Sequence, residues 1–458
     1  MANVYNFGAS GDGRNDDTEA MQHALDAGDG ILDLHKGTYR ISQPLVIDMT
    51  KSGYAAVRGV GGASRIIMTG PGPAIRLLGD HQGTADPGSF KDHTWENERF
   101  PTISGVEILG EHPEAVGIEL RKTMQATITQ VLVRHCKVGV HLVERNRNFI
   151  LADSHIYDNH EYGVFFDNCN LHQAIIHGNH ISYNKRGGIK TLDGDVHNFH
   201  ITGNDIEYNN RPGLDESPNS EPTGGEIWFE SPNGSISEVS IASNTIQATV
   251  QPGGANIRIW GPPELSLIGA WLIAITGNVI GSQNRGLDLR HVRRITVTGN
   301  TIYDSRDLSL YAENCSSLIY SANTISWRTD DERPLSDGIR LVDCENCILS
   351  SLSGERIASG TAEEGGAISL INSKAITVSQ CILLDCNHRG IDVADCDHCQ
   401  IQGNTITDRR DPVRMLQAVR VRGTSKGNVV QGNIVSGAAG ELIDVAEGTA
   451  EVQGNVEL

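Results

Sequence analysis

The chain has 458 residues, of which 51 are glycine and only 5% are aromatic. This composition indicates many tight turns and small, evenly filled layers, and it does not fit one large aromatic core. The formal net charge of −20 disfavours nucleic acids and acidic membrane surfaces as partners. No apolar run is long enough to predict a membrane-spanning helix.

The N-terminus and the cysteines bear on localisation and cofactors. The opening residues, MANVYNFGAS, lack the basic and apolar regions of a secretion signal, so we expect a cytoplasmic chain, a secreted one whose signal has been removed, or a phage component that needs no signal. The nine cysteines include two C-x-x-C motifs, Cys344 with Cys347 and Cys396 with Cys399. These motifs are about fifty residues apart in sequence, which is too far for a typical zinc site. We therefore predict free interior thiols and no metal.

The first predicted element is a short amphipathic helix in an N-terminal cap region, residues 1–45. The stretch NFGASGDGRNDDTEAMQHALDAG begins as a glycine-rich turn, and we place the helix at about residues 16–27. Asp17 or Thr18 can cap its N-terminus. Its apolar face consists of Met21, Ala24 and Leu25. Such a helix would cover the open edge of a first coil.

This stretch also carries a recognisable motif. NFGA begins at Asn6, GDG at Gly11 and DDT at Asp16, and a variant continuation, LHKGTY, begins at Leu34. The motif resembles that of the pectate-lyase-like superfamily of right-handed parallel β-helix proteins. The resemblance implies that fold, and it implies a carbohydrate ligand, because the superfamily comprises polysaccharide lyases, glycoside hydrolases, fructotransferases, epimerases and phage tailspikes. The reaction stays open, since neither the YGFDPH signature of alginate epimerases nor the GHG element of polygalacturonases is present.

A short repeat organises most of the remaining chain. A phrase of the type ITGNDI, IASNTI, VTGNTI or IQGNTI recurs along the chain, most gaps in the series being about 22 to 30 residues and the larger ones containing insertions or weaker copies. A second phrase, as in GVFFD, EIWFE and GLDLR, lies between its copies. Both are typical of short strands, and no helix-length segment separates them. The pattern predicts an all-β parallel β-helix, one domain over residues 1–458, with coils stacked from about residue 46. The recurring asparagine can hydrogen-bond to its equivalent one coil away.

Aligning the second phrase predicts two columns of outward side chains, because successive residues of a strand face opposite sides. In GGEIWFES, Ile227 and Phe229 point inward, and Glu226, Trp228 and Glu230 point outward. The first outward column comprises His141, Phe165, Lys190, Trp228, Arg258, Asp288, Ser309 and Arg340. The second comprises Val143, Asp167, Leu192, Glu230, Trp260, Arg290, Tyr311 and Val342.

These columns suit an acidic polysaccharide or oligosaccharide. Sugar C–H faces stack on indole rings, whereas hydroxyls and carboxylates need charged partners. The predicted substrate-binding residues are Trp228, Trp260, Arg290, Arg340, His141 and Tyr311. Polar segments that would wall this face are Gly79–Pro101, Tyr208–Gly224, Trp327–Asp337 and Asp408–Gln417. A surface ion-pair ladder without a ligand is the alternative.

Carboxylate acid–base cleavage of a glycosidic bond is the first predicted function. Glu230, between two tryptophans, would be the acid, and Asp288 or Asp167 would activate water. Glu226 is the reserve carboxylate. Asp167 and Glu230 are two coils apart, or about 10 Å at the backbone.

Two other functions remain open. A polyuronate lyase would use Lys190 as its base and Arg258, with the other arginines of the columns, to neutralise carboxylates, and Ca²⁺ is a possible cofactor in that case. Asp193 and Asp195 in LDGD, or Asp330, Asp331 and Glu332, could bind Ca²⁺, although solvated loop acids are the simpler interpretation. A tailspike or adhesin would bind glycans without turnover. The sequence fits a monomer or a homotrimer.

Overall fold

The computed structural model describes residues 2–28, 30–83, 86–210, 224–248, 250–263, 269–327 and 336–458. Successive coils pair through parallel strands, which confirms the predicted parallel β-helix. Two compact units are distinguished, an N-terminal unit of Met1–Ser217 with Gly224–Ser240 and a C-terminal unit of Pro218–Thr223 with Ile241–Leu458. The single domain over residues 1–458 stays a prediction.

The regular elements are short throughout. The α-helices span Thr18–Ala27, Met49–Ser52 and Asp92–Asn97, and 3₁₀ helices span Val4–Phe7 and Pro87–Ser89. The first strands are Ala2–Asn3, Asp12–Asp16, Ile31–Asp33, Gly37–Ile41, Leu45–Asp48, Ala56–Met68, Gly72–Leu78, Thr102–Gly110, Ala115–Arg121, Thr127–Thr129, Leu132–Arg134, Val138–Ala152, His155–Tyr157, Tyr162–His177, His180–Ser182, Gly187–Leu192, Asp195–Thr202, Asp205–Glu207, Gly225–Glu230 and Ser235–Ala242. The later strands are Thr245–Gln247, Ala255–Trp260, Ala270–Thr276, Val279–Gly281, Arg285–Arg290, Val292–Thr298, Thr301–Tyr303, Leu308–Glu313, Ser316–Ser321, Thr324–Ser326, Gly338–Val342, Ile348–Ser350, Ser353–Glu355, Ile368–Ile371, Thr377–Ser379, Ile382–Leu384, His388–Ala394, Gln400–Gln402, Thr405–Thr407, Met415–Arg422, Asn428–Gln431, Ile434–Ser436, Ile443–Val445, Ala450–Gln453 and Val456–Glu457.

The N-terminal helix forms as predicted, with a different cap. It begins at Thr18, and its predicted apolar face is buried. Asp17 precedes the helix, but its carboxylate accepts hydrogen bonds from the backbone N–H groups of Ser10 (2.6 Å) and Gly11 (3.1 Å). Asp16 instead accepts from the N–H of Thr18 at 2.9 Å. The aspartates therefore tie the glycine-rich turn to the helix.

Asparagine ladders run through the turns of both units, as the repeat predicts. In the C-terminal unit, the side-chain amide of Asn278 donates to Asn300 Oδ1 at 2.9 Å, and Asn300 donates likewise to Asn323 Oδ1 at 3.0 Å. Each side chain also donates to a backbone carbonyl of the coil before, such as Ile275 O for Asn300. The interior polar groups of these turns therefore satisfy one another. All nine cysteines are buried and unpaired, as predicted.

A second ladder in the N-terminal unit ends at Glu226. The amides of Asn159, Asn184 and Asn209 form consecutive rungs, and the last donates to Glu226 Oε2 at 2.6 Å. Glu226 is fully buried, so the prediction that it points outward is wrong. The two preceding coils have glycine at the position of Glu226. A Cβ atom at Gly163 would lie 2.8 Å from the side-chain nitrogen of Asn184, and one at Gly188 would lie 2.9 Å from that of Asn209. In Glu226 the side chain replaces the next asparagine as acceptor, and burial raises its pKa well above the usual range.

The first test of this framework compares an interior rung with a terminal one. Asn300→Ala leaves buried donors of Asn278 without an acceptor, and we expect it to lower the free energy of unfolding by about 2–3 kcal/mol. Asn455→Ala removes the last rung; because Asn455 itself is partly exposed, water can take the place of its side chain as acceptor for Asn433, and we expect a loss below about 1 kcal/mol. Urea denaturation followed by circular dichroism measures both. Equal losses would contradict a cooperative interior ladder.

The buried carboxyl of Glu226 makes stability depend on pH. The pKa of Glu226 is higher in the folded than in the unfolded chain. Its contribution to the free energy of unfolding is therefore fully present below the pKa of the unfolded chain, and it is lost as the pH rises from there through the pKa of the folded chain. Glu226→Gln keeps an acceptor oxygen and cannot ionise, so we expect it to gain on the order of 1–2 kcal/mol over the wild type at pH 8.

The same advantage should shrink as the pH approaches about 4.5, where the unfolded carboxyl is half protonated. Denaturation midpoints at several pH values measure the difference, and Glu447→Gln, at an exposed site, is the control. A Glu226→Gln variant that is less stable than the wild type at pH 8 would sink this interpretation.

Candidate functional site

The strand face of the N-terminal unit has the predicted alignment. We use this term for the outward side chains of the strands from Gly72–Leu78 to Gly225–Glu230. One column of paired positions comprises Arg76, Glu119, His141, Phe165, Lys190 and Trp228. Its neighbour comprises Leu78, Arg121, Val143, Asp167, Leu192 and Glu230. The register thus brings the predicted residues of this unit onto one surface.

Lys190 and Glu230 form the central ion pair of this face. Lys190 Nζ lies 2.5 Å from Glu230 Oε2 and 3.4 Å from the centroid of the Trp228 ring. The lysine side chain is 2% exposed, whereas that of Glu230 is 27% exposed. The indole and the carboxylate therefore enclose the ammonium group, and the carboxylate stays accessible.

Trp228 serves mainly as packing. It is buried in an apolar cluster with Val116, Val138 and Tyr162, and Phe165 packs against the cluster. Little of the indole face is left for a flat sugar contact, because Lys190 covers one side. The expected stacking role of Trp228 stays a prediction.

His141 and Asp167 form a second pair on the same face. His141 Nε2 lies 3.2 Å from Asp167 Oδ2, and the imidazole stacks on Phe165 with ring centroids 5.4 Å apart. The Asp167 side chain is 41% exposed. Leu192 lies between Asp167 and Glu230 in the column, so the two backbones are two strand spacings apart, or about 10 Å.

The outward residues of the C-terminal unit require one correction to the predicted alignment. Tyr311 pairs with Asp288 and with Arg340, so it belongs to the first column and not the second. Leu308 pairs with Arg285, whereas the predicted alignment places it opposite Leu287, two residues further along that strand. Ser309, predicted to be outward, is buried and donates a hydrogen bond to Asp337 O at 2.9 Å.

Asp288 is enclosed by three arginines. Arg258, Arg285 and Arg290 lie 3.5, 3.4 and 3.1 Å from its carboxylate, and its side chain is 2% exposed. Arg258 is equally hidden, and burial lowers its pKa to about 10. The guanidinium groups of Arg258 and Arg290 lie 4.8 and 4.7 Å from the Trp260 ring centroid. Arg285 also contacts Asp307 at 3.1 Å, and Arg290 contacts Glu313 at 3.7 Å. The partly exposed side chains of this cluster and its neighbours are those of Arg285, Arg290, Trp260, Tyr311 and Arg340.

The predicted loop walls are described in part. The segment Gly79–Pro101 contains the 3₁₀ helix Pro87–Ser89 and the α-helix Asp92–Asn97. Asp408 orders the segment Asp408–Gln417 by accepting hydrogen bonds from the N–H groups of Arg414 and Met415. The segments Tyr208–Gly224 and Trp327–Asp337 include residues 211–223 and 328–335, which lie outside the described residues, so both walls stay predictions.

A polar pocket of about 630 Å³ in the N-terminal unit was not predicted. Its residues follow those of the strand face in sequence, on the same strands Val138–Ala152 and Tyr162–His177 and on the next strand, Asp195–Thr202. Arg145, Asn170 and Asp195 are paired in one column, and Arg147, His172 and His197 in the adjacent one. The pocket is lined by Gln82, Gly83, Lys122, Glu144, Arg145, Asn170, Leu171, His172, Asp195, His197 and Glu238. The triplets RNR, NLH and DVH, one coil apart, are the signal that could have revealed it.

Burial and pairing set the charges in this pocket. Arg145 Nε donates to His81 Nε2 at 3.3 Å, and burial together with the nearby Arg145 lowers the pKa of His81 to about 4. His197 Nε2 lies 2.5 Å from Asp195 Oδ1, and its Nδ1 lies 2.5 Å from Ser237 Oγ. The bond to Asp195 raises the pKa of His197, and the same bond lowers the pKa of Asp195.

Among the described residues, no group of three or more His, Cys, Asp or Glu side chains is arranged to hold a metal ion. Within the same ranges, no helix is sufficiently long and apolar to cross a membrane.

The chain is similar to known β-helix proteins. The family described as "Right handed beta helix region" matches residues 95–246 and 269–456, and "Rhamnogalacturonase A/epimerase, pectate lyase-like" matches residues 1–56. The Dettilon tailspike protein is 17% identical with a TM-score of 0.51, over 96% of this chain and 67% of that one. No curated protein matches by sequence.

Two enzymes are among the other similar structures. The A-module of a mannuronan C-5 epimerase from Azotobacter vinelandii is 14% identical with a TM-score of 0.38, over 100% of this chain and 99% of that one. The catalytic unit of an α-1,3-glucanase from Streptomyces thermodiastaticus is 13% identical with a TM-score of 0.38, over 100% and 68%.

The Asp195–His197 pair gives a direct prediction. His197 should titrate above the usual histidine value of about 6.5, because Asp195 stabilises the imidazolium. Asp195→Asn should return that titration to about 6.5 or below. Ring-proton NMR titration measures the change, with the resonance assigned by its absence in His197→Gln. An unaltered titration in Asp195→Asn would refute the pairing.

Proposed function

Since this chain belongs to the family of right-handed β-helix proteins, we propose that it is a carbohydrate-active enzyme that cleaves glycosidic bonds of an acidic polysaccharide on the strand face of its N-terminal unit. The observation that carries this proposal is the exposed carboxylate of Glu230, held at 2.5 Å by the buried Lys190. The N-terminal likeness to pectate-lyase-like sequences supports a carbohydrate as the substrate.

Glu230 suits the role of general base. Its carboxylate already pairs with an ammonium group, so it is placed to take a proton from water and not to give one to the leaving group. This reverses the role that the sequence analysis assigned to it. Lys190 is a positioning residue, since its side chain is almost completely covered.

Asp167 is the matching acid. It is the other exposed carboxylate in the same column, and His141 orients it from the neighbouring column. A backbone separation of about 10 Å places the two carboxyl groups near the range of about 6.5–9.5 Å that inverting glycosidases use. Asp288 is the weaker choice, because it is hidden and bound by three arginines.

Cations at the edge of the face favour an acidic chain. Arg76 and Arg121 are partly exposed and share Glu119 as their partner, at 2.7 and 3.4 Å. Arg121 also pairs with Glu144, whereas Arg76 contacts Glu119 through Nε and Nη2, so the remaining guanidinium donors of Arg76 can bind the carboxylate of a passing sugar.

Elimination is less well supported. Lys190 would have to lose its proton and reach the substrate, but it is ion-paired and covered by Trp228 and Glu230. A lyase would also release an unsaturated product, which provides a clear distinction from hydrolysis.

Glu230→Gln and Asp167→Asn should each lower the hydrolysis rate by about 10²–10⁴-fold, because each removes one proton-transfer group. The measurement is the release of new reducing ends from a panel of acidic polysaccharides, together with the ultraviolet absorbance of unsaturated products.

Asp158→Asn is the matched control, since Asp158 pairs with His135 at 2.8 Å away from the strand face, and it should keep full activity. An unsaturated product that disappears in Lys190→Met would favour a lyase and contradict the proposal. Glycan binding without any turnover by the wild type would favour a binding protein, with the same consequence.

A further inference from the structure

The pocket beside the strand face is not used by the proposed cleavage. Its walls come from Val138–Ala152, Tyr162–His177 and Asp195–Thr202, and Gln82 and Gly83 close one side. Its volume of about 630 Å³ falls within the range of about 300–1,000 Å³ that is usual for small-molecule sites. The residues that line it are polar, with the exception of Gly83 and Leu171.

Arg145 is the main unexplained group in this pocket. Its residue is 9% exposed, and it keeps a guanidinium group among His81, Asn170 and Arg147. Nε donates to His81 and Nη1 donates to the Asn170 side chain, whereas Nη2 has no hydrogen-bond partner. A buried cation with an unused donor is costly to maintain, and no carboxylate forms an ion pair with it in the described part of the chain. Its remaining donor is suited to an anionic group of a ligand.

His172 adds a second unused polar atom. Its Nδ1 is buried and has no partner, and burial lowers the pKa of the imidazole, so the ring is neutral at pH 7. Arg145 and His172 lie on adjacent strands and both line the pocket. A neutral imidazole can donate to or accept from a hydroxyl.

The other charged groups of the pocket have partners within the protein, and Glu238 accepts a hydrogen bond from the Asn198 side chain at 2.5 Å. Lys122 pairs with Glu144 at 3.2 Å, and His197 pairs with Asp195. The carboxylates of Asp195 and Glu238 remain as hydroxyl acceptors on the walls. This combination of one cation and several hydroxyl partners fits a small ligand with one carboxylate and several hydroxyls.

We propose that this pocket is a second carbohydrate site that binds a single hexuronate unit, with the sugar carboxylate on Arg145 and its hydroxyls on His172, Asp195 and Glu238. The site is separate from the strand face and does not rest on the proposed cleavage. It would take a monosaccharide or a chain end.

Calorimetric titration with glucuronate, galacturonate and mannuronate tests the site, with glucose and inorganic phosphate as comparison ligands. We expect at least one hexuronate to bind the wild type, and Arg145→Met to weaken this binding by about 10–100-fold. Arg186→Met is the control and should leave hexuronate binding unchanged, since Arg186 is an exposed arginine that lies 3.7 Å from Glu161 and does not line the pocket. Glu230→Gln should leave hexuronate binding unchanged while it abolishes cleavage.

A second measurement covers the case in which Arg145→Met does not fold. In the wild-type protein, the ring-proton resonances of His172, assigned by their loss in His172→Gln, should shift on addition of the hexuronate and not of glucose. The proposal is overturned if no hexuronate binds, if glucose or phosphate binds equally well, if Glu230→Gln and not Arg145→Met removes binding, or if the His172 resonances do not move.

Discussion

The hydrogen bond between equivalent groups of successive coils is the interaction on which the other features depend. Parallel strands repeat at one spacing, so an asparagine in a turn meets the same asparagine of the next coil. Each side-chain amide thereby pairs with a buried donor or acceptor whose burial without a hydrogen bond would destabilise the fold. The register that results decides which outward side chains become neighbours.

This register explains why the outer surface is arranged as pairs of opposite charge. Lys190 meets Glu230, His141 meets Asp167, and Arg76 meets Glu119, each across adjacent coils. The pairs differ in how much of the carboxylate they leave exposed. Glu230 and Asp167 remain accessible, whereas Asp288 is hidden by its arginines. Exposure, and not charge alone, therefore distinguishes a candidate catalytic carboxylate from a structural one.

Much of the fold could be predicted from the sequence, because the repeat carries both the strand period and the turn asparagines. The helix Thr18–Ala27 and the alignment from His141 to Trp228 follow from the same patterns. The alternation of inward and outward residues gave the wrong side for Glu226, because this residue accepts a hydrogen bond from the buried asparagine ladder. It also gave the wrong position for Ser309, because the pairing of LSLY with the preceding strand is displaced by two residues, and the four letters do not show this displacement. The pocket could not be predicted as a whole, because Gln82 and Gly83 are distant in sequence from Arg145 and Asp195, and the fold brings these residues together.

The ladder that ends at Glu226 has a consequence for how this chain could have grown. Its rungs at Asn159, Asn184 and Asn209 are chemically identical, so duplication or deletion of one such coil would leave every amide with an equivalent neighbour. The coil with Glu226 is different, because a carboxyl group offers an acceptor but continues the series only when it carries a proton. The coils before this point are equivalent in this hydrogen bond, whereas a repeat of the coil with Glu226 would place a second carboxyl group in the interior.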